Sequence, residues 1–401
     1  MRTVIVNAKI ISPYRIFDGS VIVTDRKISS VTAAKEVDML PEDRVIDAKG
    51  LYLSPGFVET LIHGGGNADV MDGSIEAVCT VCRTHMEYGI TAIVPSTMCS
   101  TDEELFSTCH DIAEAAKIKD RMPEILGVHL EGPYISPNQG GAQDSKFIRK
   151  LEKSEYERIY QQCPNIKVWT IAPELPGALE MGSWLRETGI VGSIGHSDAG
   201  FEDVAAALDN GYTVVTHLFN GMSRLQRINS LYHMGVAESA LYMDGLVVEV
   251  IADGKHVPPN LLKLIYKIKG PMSICLVTDA IRAAGIETKE SIIGSLKSGQ
   301  RVEIDDGIAY MPGRKSFGGS ISTADRLIRT MYKQADVPLH DAVTMMTIVP
   351  SRIMKVDNRL GSITVGKDAD ILLFDDDIHM KLVMNKGAIF LDRLNTVVPL
   401  A

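Results

Sequence analysis

Short apolar runs rich in β-branched residues alternate with helical patterns through the middle of this chain. The runs are eight in number, in chain order "GFVETLI", "ITAIVPS", "ILGVHLE", "VWTIAPE", "IVGSIGHS", "YTVVTHLF", "LVVEVIADG" and "SICLVTDA". Segments such as "DVAAALDNG" and "PPNLLKLIYKIKG" lie between them and have the periodicity of amphipathic helices. Strand and helix alternating eight times predict an α/β fold built on a parallel (β/α)8 barrel of the TIM type.

The two ends of the chain have a different pattern. Segments such as "TVIVNAKII" and "SVIVTDRKISSVTA" near the N-terminus, and "GSITVGKDADILLFDDD" and "KLVMNKGAIF" near the C-terminus, alternate apolar and polar residues between Gly and Asp turns. This pattern is typical of strands with one buried face. We therefore expect a small β-sandwich domain formed by residues 1–53 plus 359–401, and a barrel domain formed by residues 54–358.

The composition excludes several classes of partner. With 45% hydrophobic residues among 401, the chain can bury a large core. Its net charge is −10 and no run of Lys and Arg is long enough to bind a nucleic acid backbone. The N-terminus lacks the features of a signal peptide, and no apolar stretch has the length of a membrane span. The expected location is the cytoplasm, with no membrane or nucleic acid partner.

The cysteines have no disulfide framework spacing. The six residues would remain thiols in a reducing compartment. Cys79 and Cys82 form a C-x-x-C with His85 one turn later, a pattern that also occurs in redox and zinc sites. Since "IEAVCTVCRTHMEYG" has the pattern of one amphipathic helix and no second pair exists, we interpret these cysteines as buried helix residues.

Polar residues at the carboxyl ends of barrel strands converge on one mouth, so the end of each strand indicates what the mouth can bind. Strand three ends with Glu131, strand five with His196 and strand six with His217. One carboxylate and two imidazoles form an N/N/O donor set, which suits zinc or another divalent ion with one position left for water. Taken singly, each is better explained as a hydrogen-bonded core residue, but burying so many ionisable groups together is costly unless they are paired or bind metal.

Strands seven and eight add further candidates. Strand seven is followed by Asp253 and His256, and strand eight ends with Asp279. Asp279 is suited to be the general base that takes a proton from a metal-activated water and returns it to a leaving group. His129, two residues before Glu131, is expected to lie deeper in the barrel with a structural role.

Several of these motifs in sequence resemble the N-acetylglucosamine-6-phosphate deacetylases, a branch of the amidohydrolase superfamily. The motifs are "LSPGFVE", "GVHLEGPY", "KVWTIAPE", "GHSDA", "THLFNGMS", "IADGKHV" and "LVTDAIRAAG". The resemblance implies metal-dependent hydrolysis of an acetamide on an amino sugar 6-phosphate, giving the amino sugar phosphate and acetate, by a homodimer. It assigns the metal ligands to Glu131, His196 and His217, and the catalytic acid/base to Asp279.

The first departure from the family pattern is in strand one. Many members have a histidine pair, H-x-H, where this chain has Leu61 and His63. Leucine offers no lone pair, so we expect one divalent ion per chain. Zinc is the first choice and iron, manganese or cobalt are alternatives, with His63 as a hydrogen-bonding or weak second-site residue.

Two more departures concern the substrate. In "GGAQDSKF" the family often has a histidine after Ala142, where this chain has Gln143. We expect Ala142 and Gln143 to contact substrate, with the Gln143 amide able to donate a hydrogen bond but carrying no charge. The family's "REPG" loop, whose arginine contacts the sugar phosphate, has no counterpart in "SRLQRINSLYHMG". The resemblance still places Asn220, Gly221 and His256 at the phosphate. We expect Arg227, or alternatively Arg224, to replace the missing arginine, unless both are solvated surface residues.

Three other activities remain open from the sequence. One is another amidohydrolase acting on a different N-acyl sugar, such as N-acetylgalactosamine 6-phosphate. A second is hydrolysis of a cyclic amide or an N-acyl amino acid. The third is a catalytically silent sugar-phosphate-binding protein, which is disfavoured because such a protein has no need of Asp279.

Overall fold

The structure is a computed structural model that describes residues 2–33, 37–119, 121–314 and 316–394, with the backbone of residues 398–399. Its strands, in chain order, are β1 (Arg2–Ser12), β2 (Arg15–Thr24), β3 (Lys27–Thr32), β4 (Arg44–Asp47), β5 (Tyr52–Pro55), β6 (Phe57–Ile62), β7 (Gly64–Gly65), β8 (Ala68–Asp69), β9 (Ile90–Thr97), β10 (Glu124–Ile125), β11 (Val128–Glu131), β12 (Ile166–Ile171), β13 (Val191–Ile194), β14 (Tyr212–Val215), β15 (Gln226–Ile228), β16 (Leu231–His233), β17 (Val247–Val250), β18 (Ile274–Leu276), β19 (Glu290–Ile293), β20 (Gln300–Asp305), β21 (Ile308–Tyr310), β22 (Ile371–Phe374), β23 (Met380–Asn385), β24 (Ala388–Asp392) and β25 (Val398–Pro399).

The helices follow the barrel strands as the alternation predicts. They are α1 (Ile75–Met86), α2 (Asp102–Ala115), α3 (Lys153–Gln162), α4 (Ala178–Thr188), α5 (Phe201–Asp209), α6 (Val236–Tyr242), α7 (Pro259–Lys269), α8 (Ala324–Arg329), α9 (Leu339–Met346) and α10 (Ile348–Ile353). The first two begin at side-chain caps, because Ser74 and Thr101 accept hydrogen bonds from backbone N–H groups of the first turn.

The predicted barrel is present. Strands β6, β9, β11, β12, β13, β14, β17 and β18 pair in parallel in this order, and each corresponds to one of the apolar runs in the sequence. Towards the carboxyl ends of the middle strands, Thr170 of β12 pairs with Glu131 of β11 and with Ser193 of β13. The polar residues that follow each strand therefore lie at one end of the barrel.

Individual hydrogen bonds join the last barrel strand to the first. The backbone N–H of Asp279 donates to the carbonyl of Leu61 at 3.0 Å, and that of His63 donates to the carbonyl of Ala280 at 2.9 Å. The buried carboxylate of Glu59 also spans this seam, since it accepts from the backbone N–H of Thr278 at 3.0 Å. The seam thus fixes the ends of β6 and β18, the first and last barrel strands, side by side.

Both ends of the chain contribute to one nine-stranded sheet outside the barrel. Its path is β24-β23-β22-β5-β1-β2-β3, with β4 paired to β1 and β25 paired to β4. A separate apolar core lies in this sheet and includes Ile10, Val21, Leu53 and Leu373. The sheet confirms the expectation that strands from both termini pack together.

A small three-stranded antiparallel sheet, β19-β20-β21, follows β18, the last strand of the barrel. We did not expect it from the sequence. The buried Arg282 anchors its start, since its guanidinium donates both to Asp72 and to the carbonyl of Gly294. Gln300 in β20 donates to the carbonyl of Ala142 at 2.7 Å, so this sheet lies over the mouth of the barrel.

The state of the cysteines matches the expectation from the sequence only in part. Cys79 and Cys82 are buried thiols on α1, as expected for core residues. The expectation that every cysteine remains a thiol is wrong for Cys109 and Cys163, which form a disulfide. Cys109 lies on α2 and Cys163 directly follows α3, and their Cα–Cα distance of 5.2 Å depends on packing and not on sequence spacing. Within the described residues, no helix is both long and apolar enough to cross a bilayer.

Glu249 in β17 is a buried carboxyl with a single partner. One of its oxygens accepts from the hydroxyl of Thr60 at 2.8 Å. The other oxygen has no partner in the described chain. Burial raises the pKa of Glu249 to about 8. The folded chain therefore keeps a proton that the unfolded chain releases near its ordinary pKa of about 4.3. The stability that this proton contributes is complete below about pH 4.3 and is lost as the pH rises through about 8.

We expect Glu249→Gln to reduce the loss of thermal stability between about pH 6 and pH 9, because the amide keeps the bond from Thr60 and never ionises. Calorimetric melting temperatures across this range provide the measurement. Glu303→Gln, an exposed glutamate in β20, is the matched control and should follow the wild type. Parallel curves for Glu249→Gln and the wild type would show that Glu249 does not titrate in this range.

Candidate metal centre and active site

Three predicted residues meet at the mouth of the barrel. Glu131 Oε1 lies 3.1 Å from His196 Nε2 and 3.0 Å from His217 Nε2, and the two imidazole nitrogens are 3.2 Å apart. All three side chains are buried. Although burial opposes ionisation, the imidazoles around Glu131 hold the pKa of its carboxyl well below the ordinary value. The cluster is a compact arrangement of one carboxylate oxygen and two ring nitrogens.

This donor set fits a divalent ion. A tetrahedral ion with bonds of about 2.0–2.1 Å separates its ligands by about 3.3 Å, close to the distances observed here. His196 Nδ1 donates to the carbonyl of Gln139 at 2.7 Å, so the ring presents its Nε2 to Glu131 and His217. Among the described residues, this is the one His, Cys, Asp and Glu group with metal-ligand geometry.

The backbone at the strand ends is strained where it delivers the side chains. His196, His217 and Asp279 have φ angles of 48°, 32° and 47°, in the left-handed region that non-glycine residues rarely adopt. Each such residue costs about 1 kcal/mol or more, and the conformation persists only where surrounding contacts determine it. In this structure the strain turns each side chain from its strand into the mouth.

His63 connects strand one to the same cluster. Its Nε2 lies 3.2 Å from Asp279 Oδ1 and 3.4 Å from Glu131 Oε2, and its Nδ1 is bonded to the carbonyl of Ser96. Leu61, two residues earlier, packs in an apolar cluster with Cys275 and Val277 and contributes no donor. His63 therefore holds Asp279 beside the metal cluster without a histidine partner.

Gln143 lies on the loop after strand three, against the cluster. Its amide nitrogen donates to Glu131 Oε2 at 2.7 Å, and its amide oxygen accepts from the backbone N–H of Cys99 at 2.8 Å. Both ends of the amide are thus used within the protein. The expectation that Gln143 contacts substrate stays a prediction: the residue lines the cavity, and its amide also orients the second oxygen of Glu131, a candidate metal ligand.

His129 has the structural position that its sequence predicted. The ring is buried beneath Glu131, with Nδ1 bonded to the carbonyl of Thr60 and Nε2 to the hydroxyl of Thr170. Burial lowers the pKa of His129 to about 4, so the ring is neutral. It lies one layer below the metal cluster and supports it.

A cavity of about 400 Å³ opens above the metal cluster. It is lined by most of the residues expected to contact substrate, namely Ala142, Gln143, Asn220, Gly221, Arg224 and His256. Arg227, the preferred replacement for the missing arginine, is not among its lining residues. It lies in the exposed hairpin β15–β16, where its Nε donates to the carbonyl of Ser230 and its guanidinium lies over Tyr232.

The sequence analysis missed the wall formed by the segment after β21. Tyr310, Arg314, Ser316 and Phe317 all line the cavity. The sequence signal was "MPGRKSFGG", a glycine-bounded turn with basic residues, but nothing in its spacing places it at the barrel mouth. Its position depends on the three-stranded sheet that precedes it.

The site combines a metal-binding cluster, a carboxylate held beside it and a cavity lined by aromatic and basic side chains. Asp279 is close enough to the cluster to exchange a proton with a molecule bound there. Such a constellation can hydrolyse an amide or ester whose remaining part occupies the cavity.

Comparisons with known proteins identify the family of this chain. Residues 52–398 match the amidohydrolase family. The N-acetylglucosamine-6-phosphate deacetylase of Bacillus subtilis is 30% identical, covering 93% of this chain and 92% of the relative. The mouse enzyme of the same name is 30% identical, with coverage of 86% and 85%. The crystal structure of the Pasteurella multocida deacetylase superposes with a TM-score of 0.89 at 28% identity, covering 97% of this chain and 99% of that one.

Removing the Gln143 side chain should weaken metal binding. Gln143→Ala frees Glu131 Oε2, and losing a partner that orients a metal ligand commonly lowers affinity by about 10- to 100-fold. Competition with a chromophoric chelator measures the dissociation constant. Gln161→Ala, on the exposed face of α3, is the matched control and should bind metal like the wild type. Unchanged affinity in Gln143→Ala would leave Gln143 free for a substrate role.

Proposed function

The chain belongs to the N-acetylglucosamine-6-phosphate deacetylase branch of the amidohydrolase family, and we propose that it removes the acetyl group from an amino sugar 6-phosphate. The products are the amino sugar phosphate and acetate. One observation carries this proposal: Asp279 is held by His63 beside the Glu131, His196 and His217 cluster. The relatives support the substrate class, because they are N-acetylglucosamine-6-phosphate deacetylases.

We propose that the cluster binds one divalent ion, zinc first among the candidates because the donors are two imidazoles and one carboxylate. When bound, the ion supplies a Lewis acid and lowers the pKa of a water molecule. Leu61 leaves strand one without a histidine pair, which supports a single tight site. His63 is then a residue that positions Asp279.

Asp279 carries the proton transfers. Its carboxylate takes a proton from the attacking water as the new C–O bond forms at the acetyl carbon. It then returns this proton to the amide nitrogen as the C–N bond breaks, so that the amino sugar leaves as a neutral amine. His63 Nε2, 3.2 Å from Asp279 Oδ1, holds the carboxylate in place for both steps.

Gln143 and His196 keep the remaining groups oriented. The Gln143 amide fixes Glu131 Oε2, so Glu131 Oε1 remains directed at the imidazoles. The carbonyl of Gln139 fixes the His196 ring. Ala142, Asn220, Gly221 and His256 line the cavity where the sugar would lie.

We propose further that the protein is a cytoplasmic homodimer. The hairpin β15–β16 supports dimer formation, because Leu231 and Tyr232 at its end are 67% and 72% exposed. Apolar side chains so exposed favour contact with a partner surface. A second copy of this chain as the partner agrees with the homodimer that the family resemblance implies. Light scattering should give twice the mass of the chain for the wild type and a monomer mass for Leu231→Asp; a monomeric wild type would contradict the dimer.

Acetate release from a panel of N-acetyl hexosamines, each with and without the 6-phosphate, tests the proposed function. We expect the phosphorylated sugars to have the higher kcat/KM, and the panel identifies which sugar stereochemistry is preferred. Equal activity with and without the phosphate would remove the phosphate from the proposal. No acetate release from the panel, together with hydrolysis of a cyclic amide or an N-acyl amino acid in a separate assay, would favour another amidohydrolase activity.

Asp279→Asn provides the catalytic control in the same assay. Turnover should fall by about 10²-fold or more, while metal content and substrate binding are retained, since the amide cannot accept the proton. Asp244→Asn, an exposed aspartate after α6, should behave like the wild type. Near-normal turnover in Asp279→Asn would remove Asp279 from the mechanism.

A further inference from the structure

We propose that Arg314, in the segment after the three-stranded sheet, binds the phosphate of the substrate in place of the arginine that the family supplies from its "REPG" loop. The inference rests on the proposed function. It assigns the positive charge that binds the phosphate to a residue in the cavity wall of this chain. A phosphate monoester carries nearly two negative charges, and a chain of net charge −10 must provide local cations to bind it.

The segment that carries Arg314 is fixed to the catalytic strand end. The backbone N–H of Ser320 donates to the carbonyl of Asp279 at 2.9 Å, and that of Ile281 donates to the carbonyl of Ser320 at 2.8 Å. Tyr310 and Phe317 form an antiparallel bridge that closes the turn between them. Arg314 therefore projects from a turn whose base is attached beside Asp279.

A series of side chains in contact connects Arg314 to His256. The Arg314 guanidinium lies 4.8 Å from the centroid of the Tyr310 ring, which in turn lies 5.8 Å from the ring of Phe317. Phe317 packs against His256 at 4.5 Å. His256 is the strand-seven residue expected at the phosphate, and its Nδ1 is bonded to Asp253 Oδ2 at 2.8 Å. Arg314 and His256 thus belong to one continuous wall of the cavity.

Arg227 and Arg224, the alternative arginines, are less well placed than Arg314 to bind the phosphate. Arg227 faces its own hairpin and does not line the cavity. Arg224 lines it, but its guanidinium donates to the carbonyl of Phe219 at 2.6 Å, which directs it along its own loop. Arg314 lies on the wall that includes His256, and this position favours it over Arg224.

The present partner of Arg314 is easily displaced. Arg314 Nη2 pairs with Asp305 Oδ2 at 2.5 Å, and both side chains are more than half exposed, at 55% and 57%. Ion pairs so exposed contribute little to stability because water screens them. A phosphate with a higher charge and three acceptor oxygens can therefore take the guanidinium from Asp305.

Steady-state acetate release from N-acetylglucosamine 6-phosphate and N-acetylglucosamine tests the assignment. In Arg314→Ala we expect KM for the phosphorylated sugar to rise by about 10- to 100-fold, the scale of a lost charge-assisted bond, with kcat nearly unchanged. KM for the unphosphorylated sugar should stay the same. Arg314→Lys should restore part of the affinity, since it keeps the charge but not the fork of donors.

Four further variants locate the effect. Arg301→Ala removes an exposed arginine of the same small sheet that does not line the cavity, and it should leave both KM values unchanged. Asp305→Asn should leave KM for the phosphorylated sugar unchanged or lower it, because it releases Arg314. Arg224→Ala and Arg227→Ala should each have less effect than Arg314→Ala.

A wild type that prefers the phosphorylated sugar while Arg314→Ala keeps that preference would overturn the assignment and leave the proposed function intact. A larger effect in Arg224→Ala or Arg227→Ala would also overturn it. If the wild type releases no acetate, calorimetric titration with glucosamine 6-phosphate still tests Arg314: weaker binding in Arg314→Ala supports the assignment, and equal binding contradicts it.

Discussion

Closure of the barrel is the constraint on which the active site depends. His63 follows the first barrel strand and Asp279 follows the last, more than two hundred residues later in the sequence. The hydrogen bonds at the seam, including the one from Thr278 to the carboxylate of Glu59, bring these two strand ends together. Without this closure Asp279 would have no fixed position near Glu131, and the candidate metal cluster would lack the carboxylate that we propose as its proton carrier.

Much of the site could be predicted from the sequence because of this geometry. Parallel strands place their carboxyl ends at one mouth, so Glu131, His196, His217 and Asp279 could be grouped from periodicity alone. His129 could likewise be placed one layer deeper, because alternate residues share a face. The motifs then identified the family, and the comparisons agree with it.

Other features depend on tertiary packing that the pattern does not record. The sheet β19–β21 packs over the mouth through Arg282 and Gln300, and neither contact has a sequence signature. The same is true of the disulfide between Cys109 and Cys163, whose helices meet only after folding. Gln143 illustrates a third case, since its residue type was visible but its two hydrogen-bond partners, Glu131 and Cys99, were not.

The central claim is that this chain uses one metal ion, held by Glu131, His196 and His217, with Asp279 positioned beside it by His63. Anomalous X-ray scattering at the zinc edge, from crystals grown with excess zinc, measures this directly. The account predicts one strong peak within bonding distance of the three ligands and none of comparable height between His63 and Asp279. Two peaks of equal height, or a peak at His63 with none at the cluster, would contradict it.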